Sequence, residues 1–372
     1  MITLALLLSV LAPQDDARTA VERSLPYLQK EGLAWIQNRK CNSCHVVTFM
    51  LWSHEEARAK GIAVDPKKLA DWTEWSTKDS TAARSLAWLT APILDTLKRE
   101  GVPEEVAAKL APFTTKPELK GGVKESAFPA ELAKVLTAEE WSRHQETILK
   151  HAGRGRGDGG GVDTMGQLLL SGAVGGEFAG ATRSHLVGFQ QPDGSWKPNG
   201  QLGGMNRAEG EATSITTMWV AIALGPKSDE AIKAAGYVRK AARGKTTEWL
   251  AARSILESAF GDPGASGDFL RELLGRQNGD GGWSAVPDAP SDAFATGLAL
   301  YGLSAAASAE EPAIRRAWKF LVATQAEDGS WGVPTASWTK VGSKPDRLKR
   351  LDPIYRYWGT AWATIGLART LP

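Results

Sequence analysis

Gln325-Ala-Glu-Asp-Gly-Ser-Trp331 stands near the end of this 372-residue chain, and its frame occurs twice earlier, as Gln190-Gln-Pro-Asp-Gly-Ser-Trp196 and Gln277-Asn-Gly-Asp-Gly-Gly-Trp283. Gln, Asp, Gly and Trp keep identical offsets in all three. Asp-Gly is turn chemistry, because Gly reaches positive φ without a Cβ clash while Asp bonds the backbone ahead of it, so each copy is expected to reverse the chain between two helices. The flanks agree. Before the third copy, Ile314, Ala317, Trp318, Leu321 and Val322 fall at i, i+3, i+4, i+7 and i+8, one apolar stripe with Arg315, Arg316 and Lys319 opposite and Pro312 suited to the first turn.

The stretches after the turns, such as Thr296 to Leu303 and Thr360 to Leu367, are apolar nearly all round and rich in small residues. Helices of that kind are buried on every side. An amphipathic outer helix, a turn and an apolar inner helix then make one unit that must stack on its neighbours to bury what it cannot bury alone. Inner helices aligned on a leading Thr number six, at Thr48, Thr164, Thr217, Thr247, Thr296 and Thr360. Six hairpins suffice to close a ring, so the expected fold is all-α, an (α/α)6 toroid of helical hairpin repeats. The second unit carries a decayed turn at Asp158-Gly159-Gly160-Gly161, and the fourth has only Arg243-Gly244-Lys245 in its place. Residues 61–128 fit no unit and read as a helical insertion after the first repeat. The expected organisation is thus 17–60 for the first hairpin, 61–128 for the insertion and 129–372 for the remaining repeats.

Arg316-Ala-Trp-Lys-Phe-Leu-Val-Ala-Thr-Gln325, followed by Asp328, Gly329 and Trp331, resembles the Gln-Trp repeat of the squalene-hopene cyclase and prenyltransferase superfamily. The resemblance covers residues 129–372 and implies a toroid with inner helices round a central cavity. It does not carry the activity over. Hopene-forming cyclases use an Asp-x-Asp-Asp acid that this chain lacks; the nearest carboxylates by position are the isolated Asp163 and Asp292, which read as helix N-cap or first-turn acids. The zinc set of the protein prenyltransferases is missing too, since both cysteines sit in one short motif.

That motif, Cys41-Asn-Ser-Cys44-His45, is the Cys-x-x-Cys-His pattern of covalent c-type haem attachment. Two thiols three residues apart can add across the two vinyl groups of one haem while the adjacent His supplies a proximal imidazole. A redox dithiol or disulfide is the second reading, though such pairs usually precede a helix in an α/β fold; zinc comes third, because it needs two further ligands. Aligning Trp35-Ile36 with Phe320-Leu321 puts the motif where other units carry their turn. The combination resembles planctomycete-type proteins that join a haem-binding motif to cyclase-like repeats. His54, nine residues past His45, is out of phase and more than about 10 Å along a helix, so it reads as structural or as a polar lining residue. Met165, just after Thr164, is the candidate sixth ligand, with Met218 in the same register one unit on, His151 as a third choice and a five-coordinate iron also open. Arg154 and Arg156, in the Gly-rich arm after His151, are candidates to meet haem propionates.

Met1 to Ala12 form a short apolar run before Pro13, Gln14, Asp15 and Asp16, the outline of a signal peptide over residues 1–16, and two cysteines confined to a motif normally matured outside the cytoplasm agree with export to a periplasm or cell envelope. Lys+Arg of 44 against Asp+Glu of 42 gives a formal charge of +2, so no nucleic-acid partner is expected, nor an integral membrane segment once the signal is removed. Three functions fit: a redox or electron-transfer haem protein with a protein partner, a haem-assisted enzyme on an apolar or isoprenoid small molecule in the cavity, and a ligand-binding module with a redox-sensing haem. Fifteen Trp and a cavity favour the second; the lack of clustered acids favours the others.

Overall fold

The computed structural model describes residues 13–39, 46–78, 94, 97–111, 134–151, 161–198, 205–206, 210–305, 311–339 and 342–372. Among them the chain is all-helical, with no strand and only isolated bridges. No helix among the described residues is long and apolar enough to cross a membrane. In chain order the helices are α1 (Pro13–Arg39), α2 (Thr48–Ala59), α3 (Pro66–Lys78), α4 (Glu104–Leu110), α5 (Ala138–His151), α6 (Val162–Leu170), α7 (Gly176–Gly188), α8 (Glu211–Leu224), α9 (Asp229–Lys240), α10 (Thr247–Ala259), α11 (Pro263–Gly275), α12 (Ala293–Ala305), α13 (Glu311–Thr324), α14 (Thr335–Trp338) and α15 (Pro345–Thr370). Their starts are chemically marked. Ser228, Thr246, Asp262 and Asp292 each accept a backbone N–H from three residues on, which satisfies a donor the helix itself leaves unpaired.

The apolar set α2, α6, α8, α10, α12 and α15 packs in neighbouring pairs: α2 on α6, α6 on α8, α8 on α10, α10 on α12, α12 on α15, and α15 on α2. All six leading threonines are buried. The tightest pair is α12 with α15, where Gly297 and Gly366 face each other and a Cβ on either would strike the opposing backbone. The amphipathic helices form a second set. α7 lies on α6, α9 on α8 and α11 on α10, the apolar helix that precedes each in sequence; α13 lies on α12 and more extensively on α1, and α1 lies on α15.

The three Gln-to-Trp turns explain this offset, because each one grips two amphipathic helices. Trp196, Trp283 and Trp331 are fully buried, donating Nε1 back to the Leu186, Leu273 and Leu321 carbonyls at 2.6, 2.7 and 2.8 Å. Their backbone N–H groups donate forward to Thr217, Thr296 and Thr360 Oγ1 at 3.0, 2.9 and 3.0 Å, which is why Thr leads those apolar helices. The Gln side chain has two N–H donors and uses both. One holds the turn's own Gly194, Gly281 or Gly329 carbonyl; the other reaches the next amphipathic helix, at Glu230 O (2.7 Å), Ala313 O (2.9 Å) and Ala20 O (2.8 Å). Three residues further along each of those helices, the backbone of Lys233, Arg316 or Arg23 lies against the turn glycine, whose φ is +93°, +90° or +81°. No side chain fits there. The last turn thus seats on the first helix of the chain in the register its siblings use.

The fourth unit, without a motif, is held differently. Glu211 Oε1, buried, accepts from Lys245 N, Thr246 N and Thr246 Oγ1 at 3.1, 2.9 and 2.7 Å, so a carboxylate from α8 fixes the turn that has lost its Gln and Trp. A second small core lies apart from the main one: Leu97, Val102, Val106 and Leu110 bury themselves with Leu136 and Ile148, against Trp141. α5, read from the sequence as an outer helix of the repeats, therefore buries Ile148 against residues that were read as insertion.

Gly329→Ala adds both left-handed strain and a collision with the Arg23 carbonyl, whereas a Cβ at Gly332 meets nothing within 4 Å. The first substitution is expected to cost about 2 to 5 kcal/mol in denaturant unfolding and the second under about 1. Equal losses would show that the seat on α1 does not matter.

Candidate functional site

Cys41, Cys44 and His45 lie outside the described residues, as do Arg154 and Arg156; His151 is the last residue of α5. What the structure gives is the frame around the motif. α1 runs to Arg39, and the chain resumes at Val46 and Val47, both buried, before α2. The shared seat of the turns matches Ala20 with Ala313, so Leu28 corresponds to Leu321 and Gly32 to Gln325. Tyr357 Oη accordingly donates to Leu28 O at 3.1 Å, where Trp331 Nε1 serves Leu321. Counted from the seat, α13 ends at Thr324 but α1 continues to Arg39, eight residues or about 12 Å further. The alignment of Trp35-Ile36 with Phe320-Leu321 is therefore two turns out of register. The described part of α1 ends at Arg39, two residues before Cys41 in sequence.

α15 overruns on the same side. It starts at Pro345, fifteen residues before Thr360, whereas α12 starts three before Thr296. The two run antiparallel, Ser24 Oγ meeting Thr364 Oγ1 at 2.7 Å and Leu28 meeting Tyr357, and Ile36 and Leu351 are both half-buried against the main core. Continued at one residue per residue, those two pairings bring Arg39 level with Asp346 to Lys349.

Met165 is buried in the main core of α6, beside α2 as its candidacy requires. Gln167 is the residue facing α2, its Oε1 accepting from Thr48 Oγ1 at 3.0 Å, and at about 100° per residue Met165 stands some 200° round the helix from it. Met218, fully buried, lies on α8, one helix further on. His54 is structural: its Nδ1 pairs with Met50 O at 2.7 Å, its ring meets Trp72 edge-on at 5.0 Å, and burial pulls its pKa down to about 4.

Between the apolar helices, aromatic rings converge that no motif announced. Phe49, Trp52, Trp219, Tyr301 and Trp362 come from four helices, with neighbouring ring centroids 5.2 to 6.0 Å apart. Trp52 and Trp219 donate Nε1 to Glu56 and Glu248 at 3.1 Å each, and the Arg369 guanidinium lies 5.0 Å over Tyr301. Burial holds the Glu56 carboxyl above its usual range against the opposing pull of Arg369. Rings this close contact one another.

Asp292 and Asp163 are the first-turn acids expected. Asp163 Oδ1 accepts from Thr216 Oγ1 at 2.7 Å, which ties α6 to α8. Asp292 caps α12 through Ala295 N at 2.8 Å, and its other oxygen accepts from Trp338 Nε1 at 2.9 Å, a partner invisible in the sequence. Trp338 stacks on Phe294 at 4.1 Å, and Asn206 N bonds its carbonyl at 2.9 Å, so residues 205–206 and 337–339 are drawn together over Asp292. Among the described residues, no three His, Cys, Asp or Glu side chains converge as a metal site.

No known protein family and no curated protein matches this chain. Among solved structures it is similar to a polysaccharide lyase, with a TM-score of 0.40, 9% identity, and coverage of 97% of this chain and 98% of that one.

Burial raises the Asp292 pKa to about 7, against the pull of its hydrogen bonds. A carboxyl raised on folding stabilises fully below its unfolded value of 3.8, and that contribution is lost as pH rises through about 7. Asp292→Asn is therefore expected to flatten the fall in melting temperature between about pH 4 and about pH 8. An unchanged pH slope in the variant would place the titration elsewhere.

Proposed function

We propose that this chain is a c-type haem protein built on a squalene-cyclase-like (α/α)6 toroid, serving redox or electron transfer in the cell envelope. For the toroid, the support is the cyclic order of the apolar helices, with α15 against α2, and the seating of the last Gln-Trp turn on α1 in the register of its siblings. For the haem, the support is the Cys41-Asn-Ser-Cys44-His45 motif itself, which follows in sequence an extension of α1 that α13 lacks.

The residues around the motif suit the group. Leu33, Trp35 and Ile36 on the overrun are half-buried against the core and offer an apolar flank, while Val46 and Val47 anchor the chain directly after His45. Cys41 and Cys44 would hold the porphyrin through thioethers and His45 would provide the axial imidazole. When bound, such a haem supplies a one-electron redox centre. Electron transfer is preferred to catalysis on an apolar substrate because aromatic side chains occupy the space between the apolar helices, and because Asp163 and Asp292 are held as helix-start acids rather than as a pair. An export signal in residues 1–16 and a protein redox partner belong to the same reading.

The decisive test is attachment. Protein matured with a haem-attachment system is expected to keep its pigment through acidified organic extraction, and Cys41→Ser with Cys44→Ser to lose it; a covalent pigment in the double variant would overturn the proposal. Met165→Ala, given the orientation of that side chain, is expected to leave the haem spectrum unchanged while costing about 2 to 5 kcal/mol of stability. Loss of a thioether charge-transfer band in that variant would instead make Met165 the sixth ligand.

A further inference from the structure

Lys344, just before α15, and Arg347, Lys349 and Arg350 in its first turns share seven residues with one acid, Asp346, with Asp352 following, in a chain whose total formal charge is +2. The four cations and Asp346 are exposed, and together they line one open groove. Among the described residues, none of the four cations makes an ion pair. Like charges held close on one helix repel one another, so the cluster costs stability and gains nothing within the fold. Its place is specific: the antiparallel register of α1 and α15 sets Asp346 to Lys349 level with the end of α1, two residues before Cys41 in sequence.

We propose that this groove is the docking surface for an acidic redox protein that exchanges electrons at the haem motif. The inference rests on the haem reading above. A positive patch beside a redox centre steers an acidic partner to the edge where transfer must occur, and it acts on the association rate at low salt more than on final affinity. An anionic membrane is the less favoured occupant. The large apolar side chains exposed among the described residues are Val135, Val187 and Ile232, none in this segment, so nothing beside the cations is available to enter a bilayer.

The test uses small probes of known charge on the whole holoprotein. Reduced haem gives one electron to ferricyanide, an anion, leaving ferric haem and ferrocyanide, or to the cation tris(phenanthroline)cobalt(III), leaving the cobalt(II) complex. Lys344→Gln, Arg347→Gln, Lys349→Gln and Arg350→Gln together are expected to slow the first oxidation roughly tenfold at low ionic strength and to speed the second, with both effects vanishing as salt shortens the screening length. Lys227→Gln with Lys240→Gln, equally exposed, should change neither. Absence of covalent pigment in the parent protein would remove the haem reading and this inference with it. Pigment with rates that ignore the fourfold variant would overturn this inference alone. So would phosphatidylglycerol vesicles that bind the parent and not the variant while the ferricyanide rates stay equal.

Discussion

One side-chain amide ties the end of this chain to its beginning. Gln325 Nε2 holds the Gly329 carbonyl with one hydrogen and the Ala20 carbonyl with the other, across 305 residues of sequence. Each bond is worth only about 1 kcal/mol net, so their role is geometric rather than energetic. Burial of the apolar helices stabilises the fold; the amide decides at which residue α1 meets the last turn. Because Gly329 must lie flat on the Arg23 backbone at the same time, the helix can neither slide nor rotate. The level that α1 reaches at Arg39 follows from that fixed point.

The turn frame was legible because it is made of chemistry that only a turn needs. Gly for positive φ and Asp for the backbone ahead of it read directly from the sequence, as did the leading Thr and the all-round apolar helices, whereas the two-helix grip of the Gln amide emerged only from the structure. The register of α1 was not legible. An amphipathic stripe nearly repeats after seven or eight residues, so Trp35-Ile36 matches Phe320-Leu321 as a pattern although the true equivalents lie two turns earlier. Only the seat on Ala20 and Arg23 separates the two alignments, and backbone atoms leave no mark in a sequence. Glu211 is a similar case: a lone acid at the start of a helix gives no sign that it clamps a turn more than thirty residues away.

Among the candidate residues, local chemistry was readable and orientation was not. Asp292 announced itself as a helix start, but its second partner, Trp338, comes from another segment. Met165 lies on the helix that packs against α2, yet the side chain that bonds α2 is that of Gln167, two residues on. The aromatic cluster is a further example, since no motif in the sequence says which of the fifteen Trp meet, and Trp52, Trp219 and Trp362 come together from three helices far apart in the chain.

These placements bear on one another under the proposed reading. A haem seated between the apolar helices would compete with Trp52, Trp219 and Trp362 for the same volume and would be far from any partner protein. At the foot of the α1 overrun it competes with nothing described, keeps an apolar flank in Leu33, Trp35 and Ile36, and stands level with the cations of α15. Electron transfer needs an exposed edge and a rigid mount more than it needs an enclosed pocket. Two helices that each extend past the turn level on the same side, locked antiparallel by Ser24 with Thr364 and Leu28 with Tyr357, give that mount its rigidity. The scaffold's own interior can then remain solid, and the chemistry can move to its rim without disturbing the packing that holds the repeats together.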